Sequence, residues 1–369
     1  MLLRLEYMLD RLTLVAAQEN AMDWLSRLFE MMPVRGRLDL RCSYGAPWRI
    51  DQGPGEANEI PYHAVVSGSA LLEDPAGGKP LQLNTGDILL LPGNPRHVMH
   101  DRSGAQPKRA RNRQELNLVI SENTGRGERL DLLCGHFTIA PPHDRLLRNY
   151  LPPRLIVHAG SHDGQKETAG QLAGLVALMR SESTDDHLGG GAMLNALSTA
   201  MFTLVLRFAS ESENAPRGLL ALAGHPRLAP AVAALFNEPA RAWSLPELAR
   251  LSNMSRATLA RQFQEKLGRS ASDLLTDIRM TLAANELKNS SLSTGAVAET
   301  AGYQSEAAFQ RAFKRYTGIT PAQWRKMQDH SGRGVFAKPA AVGAKPAKTA
   351  EADIERILPR QESQRHRIT

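Results

Sequence analysis

Between Ala242 and Lys326, apolar residues recur at helical intervals in two separate blocks. Leu245, Leu248, Ala249, Leu259 and Phe263 form the first, and Val297, Ala298, Ala301, Phe309 and Phe313 the second. Each block predicts a short helix, a tight turn and a second helix packed on the first. The leading helices are expected over Pro246–Leu251 and Gly295–Ala301. The following helices are opened by Ser255 and Ser305, fifty positions apart; each hydroxyl is placed to accept from an unpaired N–H of the first turn. Gly302 and Asn253 sit at the two corners, and both residue types tolerate a left-handed backbone. Between the units, Ser272–Asn289 reads as one helix with Leu274, Leu275, Ile278, Leu282 and Leu287 on its buried side. At about 1.5 Å per residue it spans roughly 27 Å, which suits two units held near one turn of B-DNA, roughly 34 Å.

The N-terminal half has a different period. Short runs at Arg37–Cys42, Tyr62–Val66, Ala70–Leu72, Ile88–Leu91, Leu116–Val119 and Leu130–Ile139 are separated by Gly, Pro and Asn. They predict many short strands closed into a barrel or a double-sheet roll. Ala169–Met179 and Ala192–Phe208 return to helical spacing and are expected to pack on one another. The fold class is therefore α+β multidomain: a β-barrel or roll, a helical linker and an all-α tandem helix-turn-helix domain. The divisions are 1–21, an N-terminal extension with Met22 as an alternative start; 22–165, a β domain; 166–216, a helical linker or dimerisation region; 217–328, the tandem unit; and 329–369, a disordered basic tail rich in Ala, Pro and Lys.

With the apolar faces assigned, Arg256, Ala257, Ala260 and Arg261 remain outside on the first unit. Glu306, Ala307, Gln310, Arg311 and Lys314 remain outside on the second. Arg reads guanine bidentately and Ala meets a thymine methyl, so such a face suits a major groove. The plain alternative is a helical bundle with a solvated basic face; two units in tandem favour double-stranded DNA. Charge agrees. The chain carries net +7, and Arg217–Gln328 alone holds 15 Lys and Arg against 8 Asp and Glu, a surface able to neutralise phosphate. No apolar run approaches the roughly 20 residues that span a bilayer, no basic amphipathic helix stands out, and residues 1–20 lack a clean signal core. A cytoplasmic protein without a membrane partner is expected.

These residues resemble the DNA-binding domain of AraC/XylS-type transcription regulators over Pro226–Met327. Gly302, Tyr303, Ser305, Phe309, Phe313, Gly318, Thr320, Pro321, Trp324 and Arg325 match the family pattern, with Trp324 standing where the family usually has Tyr. The resemblance implies base-facing positions at Ala257, Ala260, Arg261, Glu306, Ala307, Gln310 and Arg311. It also implies a homodimeric regulator, read as an activator, acting on promoter half-sites with RNA polymerase as a further partner.

Gly86–His97, GDILLLPGNPRH, resembles the second motif of cupins with Asn94 in place of a glycine. The resemblance implies a cupin-like sensor domain and, in cupin enzymes, a metal. His97 matches the last ligand, but the first motif offers only His63, with Glu73 as a further donor; His100 and His136 keep a low-occupancy metal site open. That set is poor for a tightly held metal, so no cofactor is expected and His63 and His97 are read as effector-binding candidates. Cys42 and Cys134 are the chain's two cysteines. They are either small core residues or redox sensors, with Arg41 or His136 as a neighbouring cation. MDWLSRLFEMMPVRGRLDLRCSYGAPWRI and LDLLCGHFTI resemble a cupin-type subgroup that senses reactive chlorine species through cysteine oxidation. The alternatives are a regulator whose cupin domain binds a small-molecule effector and, more distantly, a metal-dependent cupin enzyme fused to a DNA-binding domain. No triad, phosphate loop or paired-carboxylate motif stands out, and the chain is not expected to be an enzyme. The basic loop Gly104–Arg113 is read as a solvated insertion rather than a phosphate contact.

Overall fold

The computed structural model describes residues 22–158 and 166–331; the extension expected over 1–21 and the tail beyond Ser331 lie outside the described residues. Helix α1 (Trp24–Met31) begins where the Asp23 carboxylate accepts from Leu25 and Ser26 N–H. Eleven strands follow: β1 (Val34–Gly45), β2 (Arg49–Gln52), β3 (Glu59–Ser67), β4 (Ser69–Leu72), β5 (Leu81–Asn84), β6 (Asp87–Leu90), β7 (His97–His100), β8 (Ala110–Gln114), β9 (Val119–Asn123), β10 (Arg129–Ile139) and, after helix α2 (Asp144–Tyr150), β11 (Leu155–His158). They form a seven-stranded sheet in the order β11-β6-β3-β10-β1-β9-β8 and a four-stranded sheet in the order β2-β7-β4-β5, the double-sheet roll expected.

Alternation along the large sheet builds two cores. One face, with Cys42, Tyr44, Val65, Leu89, Leu132 and Cys134, lines the roll interior together with Leu83 and Met99 of the small sheet. The other, with Tyr62, Ala64, Leu133 and Phe137, packs on the linker helices α3 (Lys166–Glu182) and α4 (Gly190–Glu211). These two helices pack on one another as predicted. By length and composition α4, with 22 residues, is able to cross a membrane. Met201, Phe202, Val205 and Leu206 are instead buried against the sheet and the helices beside it. Gly36 is what lets α4 approach: a Cβ there would sit 2.4 Å from the Thr199 nitrogen.

Several strands escaped the sequence reading. Arg49–Gln52 and Ala110–Gln114 carry polar residues at most positions, and His97–His100 sets Val98 and Met99 side by side between two histidines, so none shows apolar alternation. Leu116–Val119 was expected as a strand, but pairing begins only at Val119, and Leu116 is exposed. The basic segment expected as a solvated insertion contributes its end to edge strand β8, exposed along its whole length.

The C-terminal part holds α5 (Leu219–Ala223), α6 (Ala229–Asn237), α7 (Leu245–Leu251), α8 (Arg256–Leu267), α9 (Ala271–Asn289), α10 (Thr294–Thr300), α11 (Glu306–Thr317) and α12 (Pro321–Ser331). α12 runs three residues into the segment expected to be a disordered tail. α9 serves two cores: Leu274, Leu275 and Ile278 pack with the first unit, and Met280, Ala283, Ala284 and Leu287 with the second. Leu282 is only half-buried. Leu245, expected in the first core, is 39% exposed because it is the first residue of its helix.

Candidate functional site

The two reading heads are built by caps. Ser255 accepts from Thr258 N–H at 3.1 Å and Ser305 from Ala308 N–H at 3.1 Å, fixing where α8 and α11 begin. The corners before them take the left-handed backbone at Asn253, φ 48°, and Gly302, φ 76°. In the second unit Gly318, φ 88°, ends α11, and Thr320 then exchanges hydrogen bonds with Gln323 across the start of α12. Trp324 is buried and donates its indole N–H to the Ala284 carbonyl at 3.1 Å, so an indole fills the aromatic site and finds a partner there.

Ser255, Arg256, Ala257, Ala260 and Arg261 are exposed on α8 and its cap. Ser305, Glu306, Ala307, Gln310, Arg311 and Lys314 are exposed on α11 and its cap, while Leu259, Phe263, Phe309 and Phe313 are buried beneath them. Besides the two caps, three of these side chains are engaged locally: Gln310 donates to Glu306 at 2.9 Å, and Arg261 lies 3.7 Å from Glu265. Both contacts are exposed and weak enough to exchange for a base edge.

A second constellation lies inside the roll. Cys42 Sγ and Cys134 Sγ are 3.9 Å apart, both buried. β1 and β10 are antiparallel with Cys42 opposite Leu132 and Leu40 opposite Cys134, so the sulfurs meet diagonally on one face. On the other side of β10, Cys134 is directly opposite His63 of β3, and His63 Nδ1 is 3.2 Å from Cys134 Sγ. His63 Nε2 is 2.8 Å from His97 Nε2 of the small sheet. Four residues singled out separately in the sequence thus form one chain across the barrel. The hydrogen bond between the sulfurs pulls the Cys42 thiol below its ordinary range. The same bond, with burial, pushes Cys134 well above it.

The cations expected beside the thiols are placed elsewhere. Strand neighbours face opposite ways, so Arg41 lies on the outer face, bonded to Asp131 at 2.8 Å and to Thr184 at 2.7 Å. His136 is bonded to Asp39 at 2.6 Å, which raises its pKa. The basic group that touches a sulfur is His63.

A cupin-type metal does not fit this donor set. His63 and His97 direct nitrogens at each other and at Cys134, and Glu73 is engaged by Arg49 at 2.8 Å at a surface where its side chain is 40% exposed. His100 gives Nδ1 to the Asp101 carbonyl. Among the described residues no group of three or more His, Cys, Asp or Glu is arranged to hold a metal ion.

Sequence reasoning missed the junction between the two halves. Tyr150 of α2 donates its hydroxyl to Asp277 of α9 at 2.7 Å, and Arg269 pairs with the same carboxylate at 3.0 Å. Asn285 donates to the Met31 carbonyl at 2.7 Å and Asn237 to that of Met22 at 2.9 Å. Buried Asp277 within the α9 pattern was the available signal.

A roll with a linker and a tandem helix-turn-helix domain defines a DNA-binding transcription regulator with a cupin domain. Residues 23–211 match the cupin family, and residues 248–327 match the helix-turn-helix domain family. An uncharacterized HTH-type transcriptional regulator of Haemophilus influenzae is 31% identical over 83% of this chain and 99% of its own. The RCS-specific HTH-type transcriptional activator RclR of Escherichia coli is 30% identical over 83% of this chain and 98% of its own. MtrA of Neisseria gonorrhoeae, another HTH-type transcriptional regulator, is 28% identical over 83% and 98%. The chain belongs to the AraC-type helix-turn-helix transcriptional regulators that carry an N-terminal cupin domain.

Proposed function

We propose that this regulator is a cytoplasmic, redox-responsive activator in which an oxidant joins Cys42 and Cys134 as a disulfide and so alters DNA binding by a homodimer. The carrying observation is the 3.9 Å contact between the two sulfurs inside the sensor. A disulfide at about 2.05 Å requires the sulfurs to approach by roughly 2 Å, which strains β1 against β10. The sheet backs onto α4 through β1 and through β3, the other partner of β10: Gly36 N–H of β1 donates to Thr199 at 2.9 Å, and Tyr62 of β3 bonds Ser198 at 2.8 Å. Beyond α4, Gly218 N–H donates to the Lys266 carbonyl at the end of α8 at 2.7 Å. The oxidised sensor thereby favours a different arrangement of the DNA-binding helices, a shift of population between two states.

In this reading residues 22–165 sense, 166–216 pair two protomers and 217–328 bind DNA. Leu178, Leu188 and Met193, exposed on α3, α4 and their connection, supply apolar surface for pairing. Arg256, Arg261, Arg311 and Lys314 meet phosphates and base edges, with Ala257, Ala260, Ala307, Glu306 and Gln310 completing the faces in successive major grooves. Ser255 and Ser305 place the two helices. RNA polymerase is the partner of an activator so bound. Similarity to an activator whose name specifies reactive chlorine species supports a hypohalous oxidant as the signal.

The competing reading is a small-molecule effector held by His63 and His97 without redox chemistry. Replacing Cys42 and Cys134 by Ser, singly and together, tests the proposal with a reporter and intact-mass analysis of the oxidised protein. Loss of the oxidant response in all three variants, with a two-proton mass decrease in the parent chain alone, supports it. An unchanged response in the double variant overturns it in favour of the effector.

A further inference from the structure

The chain of contacts that begins at the two sulfurs ends at a backbone carbonyl, and that end fixes the protons along it. His97 Nδ1 lies 3.0 Å from the Pro95 carbonyl, which only accepts, so Nδ1 carries the hydrogen. Burial lowers the pKa of His97, and burial followed by the neighbouring His97 pushes His63 down to about 3. Both imidazoles are therefore neutral, each with one N–H. His97 Nε2 is then bare, and His63 Nε2, 2.8 Å away, donates to it. His63 Nδ1 is bare in turn and faces the Cys134 sulfur at 3.2 Å, so the Cys134 S–H donates to His63. The Cys134 lone pairs are left to accept from Cys42 across 3.9 Å. Every hydrogen in this row points from the dithiol toward His97.

Building on the thiol-switch reading, we infer that His63 is the base that takes the proton when the Cys42–Cys134 pair ionises, and that His97 relays it onward. The proton of Cys134 moves to His63 Nδ1, the Nε2 proton of His63 moves to His97 Nε2, and the proton of Cys42 moves to the Cys134 sulfur. Charge comes to rest on Cys42, where Cys134 and Tyr44 both hydrogen-bond the sulfur. His97 opens the short strand β7 next to Arg96, whose side chain is 64% exposed, so the row leads from the interior toward the rim. Asp51 faces His97, Asp131 acts on Cys42 and Asp39 on Cys134.

With a hypohalous acid the chemistry balances. The Cys42 thiolate attacks the chlorine of hypochlorous acid, an S–Cl bond forms, the Cl–O bond breaks, and the departing hydroxide takes up the relayed proton as water. Cys134 then attacks the chlorinated sulfur; the S–S bond forms, chloride leaves, and the Cys134 proton is released with it, His63 Nδ1 already carrying the first. Two thiols and one hypochlorous acid give one disulfide, water, chloride and a proton. His63 acts as general base on a reacting atom, and His97 is a positioning and relaying residue acting through it.

The test is rapid-quench measurement of Cys42–Cys134 disulfide formation by hypochlorous acid in the full chain between pH 6 and 9. His63→Asn keeps an acceptor near Nδ1 but takes no proton. Its rate is expected to fall at least about tenfold at pH 7 and to climb with hydroxide as pH rises, whereas the parent profile stays nearly flat. His97→Asn should fall less and show the same steepening, which a merely structural role would not produce. Should the variants fold poorly, the parent chain in deuterium oxide decides: a rate reduced about twofold supports the relay, and an unchanged rate contradicts it. A parent chain that forms no such disulfide overturns the thiol switch itself. A parent and His63→Asn chain that oxidise at equal rates with the same pH profile overturn the relay alone.

Discussion

Tyr62 and His63 are neighbours on β3, yet their side chains serve opposite faces of the large sheet. The Tyr62 hydroxyl bonds Ser198 of α4 at 2.8 Å, while His63 Nδ1 reaches the Cys134 sulfur at 3.2 Å. One dipeptide thus joins the interior of the cupin domain to the helix that leads toward the DNA-binding region. Tyr62→Phe removes only the hydroxyl and leaves the Ser198 side chain its bond to the Leu194 carbonyl. A loss of about 1 kcal/mol in urea denaturation is expected. Disulfide formation should persist at the parent rate while the reporter response to oxidant weakens; a full response would show that the signal travels by another route.

The two recognition helices separate stability from affinity. Ser255→Ala and Ser305→Ala remove the caps on Thr258 and Ala308 and should each cost about 1 kcal/mol of stability. Arg261→Ala and Arg311→Ala, at exposed positions, should leave stability within about 0.5 kcal/mol and weaken specific DNA binding by about 1–3 kcal/mol each. Denaturation curves alongside fluorescence anisotropy on operator DNA distinguish the pairs. Lys314→Ala should lower affinity across all sequences and reduce the salt slope by about 1.

Acid should destabilise the fold through buried histidines. Burial, followed by the charge of Lys288, lowers His143 to about 4, and burial lowers His63 to about 3. Between the unfolded value near 6.5 and these folded values, the unfolded chain binds more protons. The neutral imidazoles therefore contribute stability that is complete above about pH 6.5 and is lost as pH falls toward 4. Melting temperature measured from pH 7.5 to 4.5 should fall over that window, and His143→Gln should flatten the fall.

The junction between the halves depends on a buried acid. Tyr150→Phe leaves Asp277, whose pKa burial raises, with Arg269 as its remaining ion-pair partner. A loss of about 1–3 kcal/mol is expected, together with faster proteolysis between α4 and α5. Unchanged proteolysis would show that Asn237 and Asn285 hold the junction without it.

The DNA-binding half was legible because its signals are local. Ser255, Ser305, Asn253 and Gly302 each act within a few residues, and the structure places each at the cap or corner expected. Leu245 misled because apolar spacing cannot tell the first residue of a helix from an interior one. The cupin domain was less legible. Its sheet joins residues far apart in the chain, so Cys42, His63, His97 and Cys134 stood out singly, but no periodicity gave the register that sets Cys134 opposite His63. The same gap made Arg41 look like a neighbour of the thiol, when alternation turns it to the outer face against Asp131. β8 was lost because an exposed edge strand of Ala, Arg, Asn and Gln carries no apolar pattern.

Genome-wide DNA occupancy of the full chain, with and without hypochlorite, tests the central claim most directly when run beside a Cys42→Ser, Cys134→Ser double variant. Hypochlorite is expected to change occupancy at promoters in the parent and to leave the double variant unmoved. An equal change in both would contradict it.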